Sequence, residues 1–171
     1  DSEDIRQEFQ AEVRDNLLRL RHHPSIAVLS GNNEVEQFAY DTPPERDLAE
    51  SYFLIFEELL PAIIEELCPD LPYIPSSPTS FGAFIDPANE HYGDSHYWKV
   101  WHGNLPFTEY RNHHFRYLSE FGFQSFPSEK TLNAVTLPED RNIFSYIMEK
   151  HQKNDTANGK IMNYISKSFL Y

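Results

Sequence analysis

The stretch Ser25–Gln37, SIAVLSGNNEVEQ, decides how the rest of the chain is read. Its first part, Ile26–Ser30, is a short apolar run of the kind that forms a strand buried on both faces. At Gly31 the character changes at once, to the two amides of Asn32 and Asn33 and the carboxylate of Glu34. Gly and Asn tolerate unusual backbone angles, so a turn with Asn33 at positive φ is one reading. The other is an exit at the carboxyl end of a parallel strand, which is where such folds place their chemistry.

Working outward, helical and strand-like segments alternate. Ile5, Phe9, Val13, Leu17 and Leu20 recur at helical spacing, in a helix that ends near His22-His23-Pro24. Arg21 and the two histidines suit that end, where cations are favoured. After Pro43-Pro44 a second helical pattern carries Leu48, Tyr52, Ile55, Leu59, Ile63 and Leu67, and Pro61 is expected to kink or split it. Leu71–Pro75 is a short strand-like run, followed by the loop SSPTSFG. His96–Trp101, HYWKVW, reads as a strand, and Phe115–Ser125 as a strand, Phe115–Ser119, with its exit. Thr136 and Glu139 have capping-box spacing and predict a helix with Ile143, Ile147 and Met148 on one face. A last amphipathic pattern carries Ile161, Ile165 and Phe169. Such alternation predicts an α/β fold with βα units around a parallel sheet. Four strand-like runs fit half of an eight-stranded barrel, which as a whole needs ~250 residues.

Composition narrows the partners. The 171 residues are 40% hydrophobic and 15% aromatic, a packed globular composition. The net charge of −13 repels a phosphate backbone, so nucleic acid is not an expected partner. No apolar run is long enough to span a bilayer, and no membrane partner is expected. Cys68 is the only cysteine and has no intrachain partner for a disulfide. One glycosylation triplet occurs, Asn154-Asp155-Thr156. His22-His23 and His113-His114 are adjacent pairs whose side chains point apart on a strand, and neither HExxH nor CxxC spacing occurs. No metal or other cofactor is expected.

Two carboxylates stand out. Glu34 follows the strand Ile26–Ser30 and Glu120 follows Phe115–Ser119, 86 positions apart. Strand exits of a parallel barrel share one face, so the two are candidates to oppose each other across a pocket. Glycoside hydrolysis requires such a pair.

Four segments in register carry a resemblance. RLRHHPSIAVLSGNNE (Arg19–Glu34), YIPSSP (Tyr73–Pro78), GDSHYWKVWHG (Gly93–Gly103) and RYLSEFGFQSFPS (Arg116–Ser128) resemble the fourth- to seventh-strand regions of β-mannosidases of glycoside hydrolase family 2. The resemblance implies strands four to seven of a (β/α)8 TIM barrel, with 1–171 a portion of a catalytic domain. The other barrel strands and the accessory β domains would then lie elsewhere in the same enzyme. It implies Glu34 as acid/base, Glu120 as nucleophile and Asn33 as a ligand of the sugar 2-hydroxyl. Tyr97 is then the candidate to support the nucleophile, with His96 and Trp98 in the pocket wall. On a regular strand Tyr97 and Trp98 alternate in direction, so one of them would be barrel core. The family often has a Trp in the loop after Asn-Glu, where this chain reads VEQFAYDTPPERD, with Phe38 or Tyr40 as substitutes. The implied activity is a retaining, exo-acting hydrolysis of terminal β-mannosides, by a secreted or lysosomal/vacuolar enzyme. A β-galactosidase or β-glucuronidase of the same clan, an inactive carbohydrate-binding barrel and a hydrolase using a His-bound metal are the alternatives.

Overall fold

The computed structural model describes residues 2–154 and 156–170. Two compact units divide them: one runs to Tyr97 and includes Tyr110–Phe121, the other comprises Trp98–Glu109 and the chain from Gly122 onward. Asp155, inside the glycosylation triplet, lies outside the described residues.

The first unit opens with α1, Glu3–Leu20, as the periodicity predicts. Ser2 caps it by accepting from the Ile5 amide, and Glu3 and Asp4 sit in its first turn, where carboxylates suit the helix dipole. Its apolar face, Phe9, Val13 and Leu17, packs on Leu60, Ile64 and Cys68 of the second helical region. Arg14 meets Glu66 in a two-pronged pair at 2.9 and 2.7 Å, and Arg21 donates to the Leu67 carbonyl at 2.7 Å, closing the far end of that helix.

The expected strand Ile26–Ser30 contracts to β1, Leu29–Ser30, paired in parallel with β2, Tyr73–Ile74. Proline sets the limit. Pro72 faces β1 and has no N–H to extend the ladder toward Ile26; the Leu29 amide donates to the Pro72 carbonyl and the Gly31 amide to the Ile74 carbonyl, each at 2.9 Å. Asn33 and Ser77 continue the parallel pairing as an isolated bridge.

The loop expected after Glu34 is in fact a helix, α2, Val35–Asp41. The second helical pattern resolves into α3, Arg46–Tyr52, a π-helical stretch Phe53–Leu59, and α4, Leu60–Leu67. Pro61 does not split it. The Leu60 amide reaches back to the Ile55 carbonyl, and the Phe56 carbonyl, which Pro61 cannot serve, accepts the Tyr73 hydroxyl at 2.7 Å. Gly31 permits that closure, since a Cβ there would stand 2.4 Å from the Tyr73 hydroxyl and 2.5 Å from the Pro75 carbonyl.

The strand expected over His96–Trp101 is β3, Ser95–Tyr97, and the chain then turns into α5, Lys99–Gly103, in the second unit. Burial of Val100 and Trp101 and a left-handed Asn104 at the helix end favour the helix over the β-prone aromatics. β3 pairs in parallel with β4, Leu118–Phe121, so Glu120 lies within the strand and not beyond it. Among the described residues the outcome is a mixed α/β architecture with two two-stranded parallel sheets.

In the second unit, α6 spans Glu129–Val135, α7 Tyr146–His151 and α8 Ala157–Ser168. The Thr136/Glu139 capping box does not form: Thr136 terminates α6, and Ser145 caps α7 by accepting from Met148 at 3.2 Å. Ile143 therefore lies before the helix. Trp101, Phe107, Phe123 and Tyr164 form an aromatic cluster beneath α8, with the Tyr164 hydroxyl 2.7 Å from the Leu105 carbonyl.

Candidate active site

The site is built entirely within the first unit. Glu34 follows the short parallel ladder and caps α2 in the left-handed region, at φ 62°. The positive φ that a turn would have placed at Asn33 thus falls on the carboxylate itself. The Glu34 amide donates to the Ser77 carbonyl at 2.7 Å, which fixes that backbone. Asn32 is the structural amide of the pair. Its Nδ2 donates to the Pro75 carbonyl at 2.8 Å, and its Oδ1 accepts from the Ser76 hydroxyl at 2.7 Å and the Val35 amide at 3.1 Å. Asn33 remains exposed beside Glu34.

Glu120 arrives from β4 directly opposite His96 of β3, so their side chains share one face of the sheet. His96 joins the two carboxylates. Its Nδ1 lies 3.0 Å from Glu34 Oε1 and 3.5 Å from Glu120 Oε2, while its own side chain is only 4% exposed. One side-chain atom from each of Glu34, His96 and Glu120 falls within a 4.8 Å span. The carboxylates are open to a ligand, at 26% and 38% side-chain exposure.

Behind His96 lies a polar network in which no residue was singled out from the sequence. Ser77 Oγ stands 2.9 Å from His96 Nε2 and donates to Asp94 Oδ2. Ser119 donates to the same carboxylate through its hydroxyl at 2.7 Å and its amide at 3.1 Å. Asp94 is buried and is bridged to Thr79 through the backbone. The only sequence signal was polar residues interrupting strand-like runs, in YIPSSP, GDSHYW and YLSEFG.

Tyr97 takes the opposite face of β3 from His96, in register with Phe121. It is buried, and its hydroxyl pairs with His113 Nε2 at 2.8 Å, whose Nδ1 contacts Glu90. The hydrogen bond with His113 holds the Glu90 carboxyl below its ordinary range. Trp98 is not brought into this unit; it opens α5 in the second one, 5.7 Å from the His102 ring. The structure thus gathers Asn33, Glu34, His96 and Glu120 at one place and turns Tyr97 to the other sheet face.

A further buried carboxylate underlies α2. Glu36 is fully buried and accepts the Tyr52 hydroxyl at 2.6 Å. Burial pushes the Glu36 carboxyl up, with the Tyr52 hydrogen bond opposing, and burial beside Glu36 pushes Tyr52 up as well.

Comparison with known proteins finds β-mannosidases. A Beta-mannosidase B of Thermothelomyces thermophilus is 34% identical over 184 residues, covering 95% of this chain and 21% of that protein. The Beta-mannosidase B of Aspergillus niger is 35% identical over 175 residues, covering 92% of this chain and 20% of that protein. The crystal structure of a β-D-mannosidase from Dictyoglomus thermophilum superposes with a TM-score of 0.83 at 33% identity, over 100% of this chain and 21% of that one. The chain is similar to a fifth of a β-mannosidase. It spans about a fifth of the length of the curated relatives it matches, and no family model matches it.

Proposed function

We propose that this chain is strands four to seven of the (β/α)8 catalytic barrel of a longer enzyme, a retaining, exo-acting β-mannosidase of glycoside hydrolase family 2. The observation that carries the reading is the Glu34–Glu120 pair: a carboxylate oxygen of each lies within 4.8 Å of one of the other. Retaining glycosidases hold their carboxyl groups about 5–5.5 Å apart, whereas inverting ones leave ~6.5–9.5 Å for a water. The likeness to β-mannosidases over nearly the whole chain supports mannose over the other sugars of the clan.

In the proposed mechanism Glu120 attacks the anomeric carbon while Glu34 gives its proton to the leaving oxygen. Glu34, now a base, then takes a proton from the water that releases the sugar. In this reading Asn33, which is exposed, binds the sugar 2-hydroxyl. Tyr97, turned to the other sheet face, is assigned no direct step.

The full-length enzyme containing this chain tests the reading on a panel of nitrophenyl β-glycosides, with the β-mannoside expected to lead. Glu120→Gln should abolish turnover of every substrate. Glu34→Ala should lose about 10²–10⁴-fold on a poor leaving group. On an activated aryl mannoside it should accumulate the glycosyl-enzyme, which azide converts to β-mannosyl azide. Formation of the α-azide would exclude the retaining pair. Glu34, His96 and Glu120 also have the donor types that hold a divalent cation. Turnover should survive exhaustive chelation; a loss restored by added cation would favour a metal hydrolase. Secretion or lysosomal/vacuolar residence is part of the same proposal, and a hexosamine on Asn154 in natively expressed enzyme would support it.

A further inference from the structure

We propose that Asp94 and Ser77 are positioning residues that fix a proton on His96 Nε2, so that His96 Nδ1 shares with Glu34 the single proton the catalytic pair works with. This rests on the reading of Glu34 and Glu120 as acid/base and nucleophile, and it follows from counting donors.

A carboxylate only accepts hydrogen bonds. Asp94 receives the Ser119 amide and hydroxyl at 3.1 and 2.7 Å, and the Ser77 hydroxyl as well. Ser77 has one proton, and Asp94 takes it. Its oxygen therefore meets His96 Nε2, 2.9 Å away, as an acceptor, and that ring nitrogen must carry a hydrogen. A neutral imidazole has only one N–H, so Nδ1 then presents a lone pair. That lone pair faces Glu34 Oε1 at 3.0 Å and Glu120 Oε2 at 3.5 Å. Three acceptors without a proton among them repel one another, and at 4% exposure the His96 side chain has almost no water to intervene.

One proton among the three relieves this. On Glu34 it makes the acid that the first step needs. On Nδ1 it makes an imidazolium between two carboxylates. Both arrangements have one net negative charge, and the proton passes between them along an existing hydrogen bond. Glu120, the more distant partner, stays ionised in both. Each strand segment around the ring contributes a charged or polar group, and β4 two: Glu34 after β1, Ser77 after β2, Asp94 before β3, and Ser119 and Glu120 on β4. His96 is thus a proton store for Glu34, and Asp94 acts on the reaction through it.

The basic limb of the kcat/KM profile reports loss of the acid in the free enzyme. In the full-length enzyme, His96→Asn removes the acceptor beside Glu34 and should move the basic limb to lower pH. Ser77→Ala frees Nε2, and Asp94→Asn offers Ser77 a donor that turns its hydroxyl toward the ring. Both let the neutral imidazole place its hydrogen on Nδ1, which stabilises two ionised carboxylates, so both should shift the limb the same way. Ser77→Thr retains the hydroxyl and should restore the parental profile. If Ser77→Ala and the near-isosteric Asp94→Asn lower kcat without moving the limb, the network is merely structural and the proposal is wrong. Glu34→Ala separates this failure from that of the parent reading: on an activated aryl mannoside it should lose the basic limb, and a limb that persists would remove Glu34 from the acid role.

Discussion

Glu34 occupies a backbone region that glycine and asparagine enter more readily than glutamate does. Left-handed strain at a residue of this kind costs of order 1 kcal/mol. Glu34→Asn should therefore raise the melting temperature of the enzyme while removing the acid function, a pairing that calorimetry and a turnover assay check together. Glu36 poses a pH question. Burial raises its carboxyl above the ordinary 4.5, so the folded protein binds that proton more tightly than the unfolded chain does. The stability it contributes is full below the unfolded value and is lost as pH rises through the folded one. Glu36→Gln keeps the neutral form throughout, so variant and parent should melt alike near pH 4, and the variant should melt higher at about pH 8. Gly31→Ala drives a methyl into the Tyr73 hydroxyl and the Pro75 carbonyl, and overpacking of this kind costs about 1–3 kcal/mol in denaturant unfolding. Glu34 was legible because it follows the strand-like run Ile26–Ser30, and Glu120 because it lies in the strand-like stretch Phe115–Ser125, within which β4 forms. Ser77 and Asp94 were not, because Ser and Asp beside Pro or Gly read as turn chemistry until a third dimension shows what they face.

At the level of elements, long amphipathic helices were the most legible. Five apolar positions at helical spacing define α1, and one face of it is indeed what packs. Short elements were not, because their local preference is overridden. HYWKVW is rich in strand formers, yet Val100 and Trp101 bury themselves from a helix. The capping box at Thr136 met all local requirements, but Ser145 stood closer to the turn that buries Met148. Ser145→Ala should therefore destabilise the second unit by about 0.5–2 kcal/mol, whereas Glu139→Ala should have little effect. The effect of Pro61 was foreseen in kind but not in form: a wide turn absorbs it, and a hydroxyl from β2 satisfies the freed carbonyl. Tyr73→Phe tests that account, with an expected loss of about 1–3 kcal/mol on urea unfolding, the cost of an orphaned carbonyl.

For the whole molecule, the α/β class was legible from alternation, while the brevity of the strands was not, since it depends on which backbone groups the partner offers. Much apolar surface is open in the first unit, with Phe81 64%, Ile85 73% and Tyr92 63% exposed. Residues 1–171 expressed alone should bind a hydrophobic dye and melt without a cooperative transition; a sharp melt with no dye binding would contradict this. The site also sets an order of events. Glu34 and His96 are 62 positions apart, and Asp94 and Ser119 are 25 apart, whereas the turns of α1 join residues four apart. Closing long loops is slow and winding a helix is fast. On dilution from denaturant, the ellipticity of the enzyme should return well before its turnover, and the interval between the two is a clock for the moment when the chain brings its distant carboxylates face to face.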